Sequence, residues 1–167
     1  MRTDLFGVAG DPVEIVNWRR LSSRLTTSGQ PTEGQLASIS KLAVSHIVNL
    51  GIHNHEKALK DERATVSSLG MTYIHLPVDF AAPAESDFDR FCQIMEATRN
   101  DRIHVHCIFN ARVTAFLYRY RRDVLKLNPE EAAAPMETVW RPGGVWAVFI
   151  GHNGDAALPD RYAGRDY

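Results

Sequence analysis

The stretch Arg102-Ile103-His104-Val105-His106-Cys107-Ile108-Phe109-Asn110-Ala111-Arg112 decides the fold and the chemistry of this chain. Residues 102–106 are short, carry β-branched side chains and predict a buried strand. Cys107 follows at the strand's carboxyl end, and after a loop of four residues Arg112 opens a helix predicted over 112–127. Such a juncture is an anion cradle with a nucleophile at its base. The N–H groups of the loop (Ile108, Phe109, Asn110, Ala111) and of the first helical turn favour an anion and equally favour the thiolate of Cys107. Arg112 adds a planar fork suited to two oxygens of a phosphate-like group. The tight loop needs one residue tolerant of positive φ, and Asn110 is the candidate. The alternative is a buried structural cysteine in front of an ordinary helix.

Outward from this juncture, strands and helices alternate. Strands are predicted at 25–27, 45–50 and 72–76. The first intervening helix starts at Thr32, with Gln35 three residues on as a capping box. A second is predicted over 56–69 and ends at Gly70, a third starts at Ser86 with Phe88, Phe91, Ile94 and Met95 on one face, and a last one follows Asn128-Pro129, shortened by Pro135. This alternation predicts an α/β fold, a mostly parallel sheet of four to five strands flanked by helices. Ligands of such sheets bind beyond the carboxyl ends of the strands, where Cys107 falls.

The 167 residues, 44% hydrophobic and 23% charged, are expected to form one domain, with a core at about 17–150 and a tail at 151–167 that is poorly packed. A chain of this length buries roughly 70% of its unfolded surface, so no disulfide or structural metal is needed. With 19 Lys+Arg against 20 Asp+Glu, the formal charge of -1 gives no surplus for holding a polyphosphate backbone, so nucleic acid is not an expected partner. No apolar run reaches the 18 or so residues of a membrane span. No leader pattern is visible and Cys92 and Cys107 are the two cysteines, from which a cytoplasmic location with free thiols is expected.

The run His106 to Arg112 resembles the signature of cysteine-dependent protein phosphatases. The wider series TSGQPTEGQL, HIVNL, GMTYIHLPVD and HCIFNARVTAF resembles a bacterial branch of them, the beta-lactamase-hydrolase-like phosphatases, related to the dual-specificity and protein tyrosine phosphatases. The resemblance covers about residues 17–150. It implies a cysteine-phosphatase-like fold and hydrolysis of phosphate monoesters on a phosphorylated protein or a small aryl phosphate, with no cofactor. By position it implies Cys107 as the nucleophile that forms a phosphocysteine, Arg112 as the binder of the transferred group's oxygens, and Asp79 in LPVDF, 28 residues before Cys107, as the general acid.

The sequence departs from the usual signature. Four residues instead of five separate Cys107 from Arg112, Asn110 stands where a glycine is usual, and Val113 replaces the hydroxyl residue, with Thr114 next as a second candidate to bond the thiolate. The four-residue spacing also resembles the rhodanese-type sulfurtransferases, whose loop holds a persulfide. A third reading is a phosphate-binding module without turnover.

Other features take simpler readings. His53 and His55 have no third ligand at a recognisable spacing, so no metal is expected. The loop 51–56 follows a parallel strand and is expected to wall the pocket, while His106 can bond the cradle's backbone and tune the thiolate. Cys92 is expected in the core, Trp140 and Trp146 in the core or rim, and Arg119, Arg121, Arg122 and Lys126 on a solvated face.

Overall fold

The computed structural model describes residues 4–163. A five-stranded sheet runs β1 (Arg19–Arg20), β2 (Leu25–Ser28), β5 (Ile103–His106), β3 (His46–Asn49) and β4 (Thr72–His75) in spatial order. β2 to β5 are parallel to one another, and β1 is antiparallel to β2 at the edge. The strand that precedes Cys107 is therefore central. Its register aligns His106 with Ser28 on one side and Asn49 on the other, so three carboxyl strand ends open on one spot.

Pleating sends alternate residues to opposite faces. Val48, Ile103 and Val105 join a core with α3 (Glu85–Ala97), α4 (Ala111–Arg119), α5 (Pro129–Glu137) and α6 (Gly144–Phe149). Ile47 and Tyr73 pack on the other face with Leu36 and Ile39 of α1 (Glu33–Ser40) and Val66 of α2 (Glu62–Ser68). His104 shares that second face, stacked on Trp18 with ring centroids 5.1 Å apart, its two nitrogens meeting the hydroxyls of Thr26 and Ser28.

Local chemistry explains most of the element ends. Thr32 and Gln35 form the reciprocal capping box, Gly70 takes φ +81°, and Asn128 caps α5, with Pro129 in its first turn. Other boundaries differ from expectation. α2 begins only at Glu62, because Asp61 accepts from the N–H of Ala64 and caps it there, while residues 53–60 form turns. α3 begins two residues earlier than a cap at Ser86 would set it: Ala84 is its cap residue, and Asp87 reaches back to accept the Ala84 N–H. The helix after Arg112 passes at Tyr120 into a π-helical turn (Tyr120–Val124) and stops. Pro135 is accommodated inside α5, which ends two residues later at Glu137.

One surface expectation is overturned. Arg119 and Arg121 are not solvated: the Arg119 side chain is 14% exposed, lies over Phe88 and Phe149 at 4.0 and 4.7 Å, and pairs with Glu85, and Arg121 is 7% exposed. Long aliphatic stems cover apolar surface, so arginine burial follows packing as well as charge. Residues 151–159 are mostly exposed, as expected of the tail, but its end is anchored: β7 (Arg161–Tyr162) pairs with β6 (Trp140–Arg141), and Tyr162 stacks on the buried Trp140 at 5.7 Å. Positions 164–167 of the expected tail lie outside the described residues.

Candidate active site

Cys107 lies 1% exposed at the floor of a 390 Å³ cleft at the carboxyl end of β5. Ile108, Phe109, Ala111 and Arg112 of the loop and helix line the cleft together with Phe80, Tyr162, Ile52 and His55. The expected wall from loop 51–56 is thus in place. It is held by Asn49 Oδ1 accepting from the Gly51 N–H (2.7 Å), by His75 Nε2 against the Gly51 carbonyl (2.6 Å), and by His53 stacked on His75 at 3.9 Å.

The cradle is shaped by what its carbonyls do. The Cys107 carbonyl meets His106 Nδ1 (3.0 Å), the Ile108 carbonyl accepts the Gln30 N–H (3.0 Å), the Phe109 carbonyl accepts Asn17 Nδ2 (2.9 Å), and the Asn110 carbonyl accepts both N–H and Oγ1 of Thr114 (3.2 and 2.8 Å). In a trans peptide the N–H points opposite the C=O. With four consecutive carbonyls tied to the body of the protein, the N–H groups of Ile108, Phe109, Asn110 and Ala111 point away from those ties.

Asn110 has φ +73°, the left-handed conformation expected of it, and its Nδ2 donates to the Asn17 carbonyl (2.8 Å) and to Thr27 Oγ1 (3.0 Å). Gly29 is required for a different reason. A Cβ there would sit 2.5 Å from the Ile108 carbonyl oxygen and 2.4 Å from Val16 Cγ1. Arg112 is 6% exposed, donates from Nη1 to the Val78 carbonyl (2.9 Å) and lies 5.6 Å from the Phe80 ring.

Behind the cradle stands a buried pair. His106 Nε2 meets Glu62 Oε2 at 2.6 Å, both side chains closed to solvent, and Glu62 Oε1 accepts from Gln30 Nε2 at 3.0 Å. Burial alone would push the Glu62 carboxyl up, but the charge and hydrogen bond of His106, with Gln30, hold it below the usual range. Burial, with the charge of His106 added, drives His104 well down, and burial also lowers His75. The Tyr73 phenol, bonded to Asn49 and His53, is raised by burial and by the charge of Glu62.

The structure therefore brings Cys107, residues 108–111, Arg112 and His106 together, and leaves two sequence candidates aside. Thr114 spends its hydroxyl on the carbonyls of Asn110 and Ala111 (2.8 and 3.1 Å), the ordinary back-bonding of a helical threonine, so it steadies the loop instead of reaching the thiol. Asp79 is exposed and accepts the Ala81 N–H at 2.9 Å, next to the Val78 that holds Arg112. Asn17, Gln30, Glu62, Phe80 and Tyr162 were not singled out from the sequence. Gln30 lies within the quoted TSGQPT motif, the one signal that pointed near it.

The central parallel sheet, the strand–Cys–loop–Arg juncture and the helices on both faces define a protein-tyrosine-phosphatase-like α/β protein. Residues 13–143 match the family described as DSP-PTPase phosphatase fused to NAD+ kinase, and the chain belongs to that family of phosphatases. Among solved structures, a Shewanella putrefaciens CN-32 protein assigned as a DUF442 phosphatase is similar at 27% identity, TM-score 0.71, over 81% of this chain and 89% of that one. Pseudomonas aeruginosa TpbA in complex with phosphotyrosine shares the fold at 22% identity, TM-score 0.63, over 82% and 80%. The PP-IP phosphatase SIW14 of Saccharomyces cerevisiae shares it at 13% identity, TM-score 0.65, over 81% and 84%. No curated protein matches the chain. Among the described residues, no helix is long and apolar enough to cross a membrane.

Proposed function

We propose that this phosphatase hydrolyses phosphate monoesters with Cys107 as its nucleophile. The observation that carries the reading is the set of four peptides, 107–108 to 110–111, whose carbonyls are all tied back from the cleft above the thiol. Phosphoryl transfer asks for in-line positioning and stabilisation of charge on three equatorial oxygens, which a ring of N–H donors and the Arg112 fork supply. The Cys107 thiolate attacks phosphorus, the S–P bond forms as the P–O ester bond breaks, and the leaving oxygen takes a proton. Water then attacks phosphorus, the S–P bond breaks, and inorganic phosphate leaves with the thiolate restored.

Asp79 is assigned the proton transfers. It neighbours Val78, the residue bonded to Arg112, and its carboxylate must leave the Ala81 N–H and turn into the cleft to act. His55 lines the cleft and accepts the Lys57 N–H at Nδ1 (3.0 Å). Nδ1 is thus taken up as an acceptor, and Nε2 is the ring nitrogen left to donate to substrate. Phe80, Phe109 and Tyr162 frame the cleft with aromatic faces, which supports aryl phosphates, phosphotyrosine included, over smaller aliphatic esters. A relative of the same fold holds phosphotyrosine.

Steady-state hydrolysis of an aryl phosphate under reducing conditions tests the reading. Wild type should turn over and Cys107→Ser should not; turnover retained by Cys107→Ser would reject the nucleophile. If wild type is inert but transfers sulfur to cyanide, the short loop serves a persulfide instead. Asp79→Asn should lose the alkaline limb of the kcat/KM profile, and a limb that persists would reject that acid.

A further inference from the structure

We infer that Glu62 is a positioning residue for the cradle: it keeps His106 as an imidazolium, which in turn holds the first peptide of the cradle, Cys107–Ile108, with its N–H toward the anion. The inference rests on the reading of the cleft as an anion-binding active site and adds to it a charged pair on the far side of the sheet's edge.

The argument is a count of donors. His106 Nδ1 faces the Cys107 carbonyl at 3.0 Å and Nε2 faces Glu62 Oε2 at 2.6 Å. A carbonyl and an ionised carboxylate can only accept, so both ring nitrogens must donate, and an imidazole with two N–H groups is a cation. Glu62 is fitted to the ionised form: its second oxygen already accepts from Gln30 Nε2 at 3.0 Å. The same Gln30 donates its main-chain N–H to the Ile108 carbonyl, so one residue ties the carboxylate and the second cradle peptide together. Solvent reaches neither partner of the ion pair, and a buried charge of this kind persists only when its hydrogen bonds are complete.

Other titratable groups face the pair. His104, on the same strand, lies with its ring 6.3 Å from that of His106, and burial keeps it uncharged. From β4 and the loop after β3, the Tyr73 phenol and His75 feel the charges of Glu62 or His106, and His53 acts on Glu62. Glu62 is the single carboxylate bonded to His106 among the described residues. The cation therefore stands one residue behind the thiol, where it favours an anion in the cleft and the thiolate form of Cys107.

Glu62→Gln separates charge from shape. The amide can still accept from Gln30 and donate to His106 Nε2, leaving Nδ1–H on the Cys107 carbonyl, so the hydrogen bonds survive and the two charges vanish. Nitrogen-15 NMR of histidine-labelled protein at pH 8 should find both His106 nitrogens protonated in wild type and one in Glu62→Gln. Alkylation of Cys107 by iodoacetamide near neutral pH should slow about tenfold in the variant, the scale that one nearby charge sets. A wild-type spectrum with one protonated nitrogen would overturn the inference, and so would an unchanged alkylation rate in a folded Glu62→Gln. Should that variant not fold, the wild-type spectrum alone decides. Hydrolysis by Cys107→Ser speaks to the nucleophile and leaves the NMR result standing, so the two readings fail separately.

Discussion

Substitution of Asn110 should damage stability and turnover together, in an order that geometry fixes. The residue holds φ +73° and donates from one side-chain nitrogen to the part-buried Asn17 carbonyl and the buried Thr27 Oγ1. Removing a donor from a buried acceptor costs about 1 kcal/mol or more each, and a left-handed conformation costs a non-glycine residue without a local hydrogen bond about 1 kcal/mol. Asn110→Gly keeps the backbone and loses the donors, a cost of about 2 kcal/mol from that hydrogen-bond scale. Asn110→Ala adds the strain and approaches about 3 kcal/mol. Asn110→Asp, nearly isosteric, sets a carboxylate against the Asn17 carbonyl and inside an anion site, and should be the worst, at about 3–5 kcal/mol for an uncompensated buried charge. Urea unfolding at constant m-value reads these differences, and aryl phosphatase kcat/KM should fall in the same order, roughly a hundredfold for Ala as the peptide planes shift. Ala within about 0.5 kcal/mol of wild type, the scatter expected of a neutral surface change, would refute the claim that this side chain sets the cradle.

Three further outcomes follow from the same geometry. Gly29→Ala should cut turnover by displacing the Ile108 carbonyl, which a Cβ would meet at 2.5 Å; wild-type kcat/KM in that variant would mean the peptide plane at 108 is not critical. Arg112→Lys should lose most activity while staying folded, because a point charge cannot both hold the Val78 carbonyl and fork two phosphate oxygens; circular dichroism beside kinetics separates the two. Stability should decline in acid in two stages. His75 and His104 have lowered folded values, so the stability they contribute is complete above the unfolded histidine value of about 6.5 and drains away as pH falls below it. Glu62, also lowered, contributes stability present above the unfolded carboxylate value of about 4.3 and lost as pH falls through its folded value. A urea midpoint that stays flat from pH 8 to pH 5 would contradict the histidine stage.

The legible parts of this fold are those written in local chemistry. Thr32 with Gln35, Gly70, Asn128 with Pro129 and the positive φ of Asn110 each follow from one residue's own preferences, and all are observed. The illegible parts depend on partners distant in sequence. Glu62 falls unmarked inside the helix expected over 56–69, whereas Asp61 caps that helix late and Glu62 is buried in its first turn. Two-residue strands such as Trp140–Arg141 and Arg161–Tyr162 carry no periodicity; they exist because Trp140 and Tyr162 stack across 20 or so positions of chain. Cys107 and Arg112 could be singled out because strand, loop and helix bring them together locally, whereas the direction of the Asp79 carboxylate hinges on a turn that the sequence leaves open.

The ties that shape the cradle are far-reaching along the chain: 92 positions from Asn17 to Phe109, 93 from Asn110 back to Asn17, 44 from Glu62 to His106 and 34 from Val78 to Arg112. Loop closure of that length is slow and is completed only when the sheet is assembled. The anion site is thus a property of the finished molecule and of no fragment or intermediate. Anything that occupies it draws directly on the global folding equilibrium, so inorganic phosphate or a competitive oxyanion should raise the melting temperature in step with occupancy. Thermal shift then becomes a way to rank candidate ligands before any substrate is known.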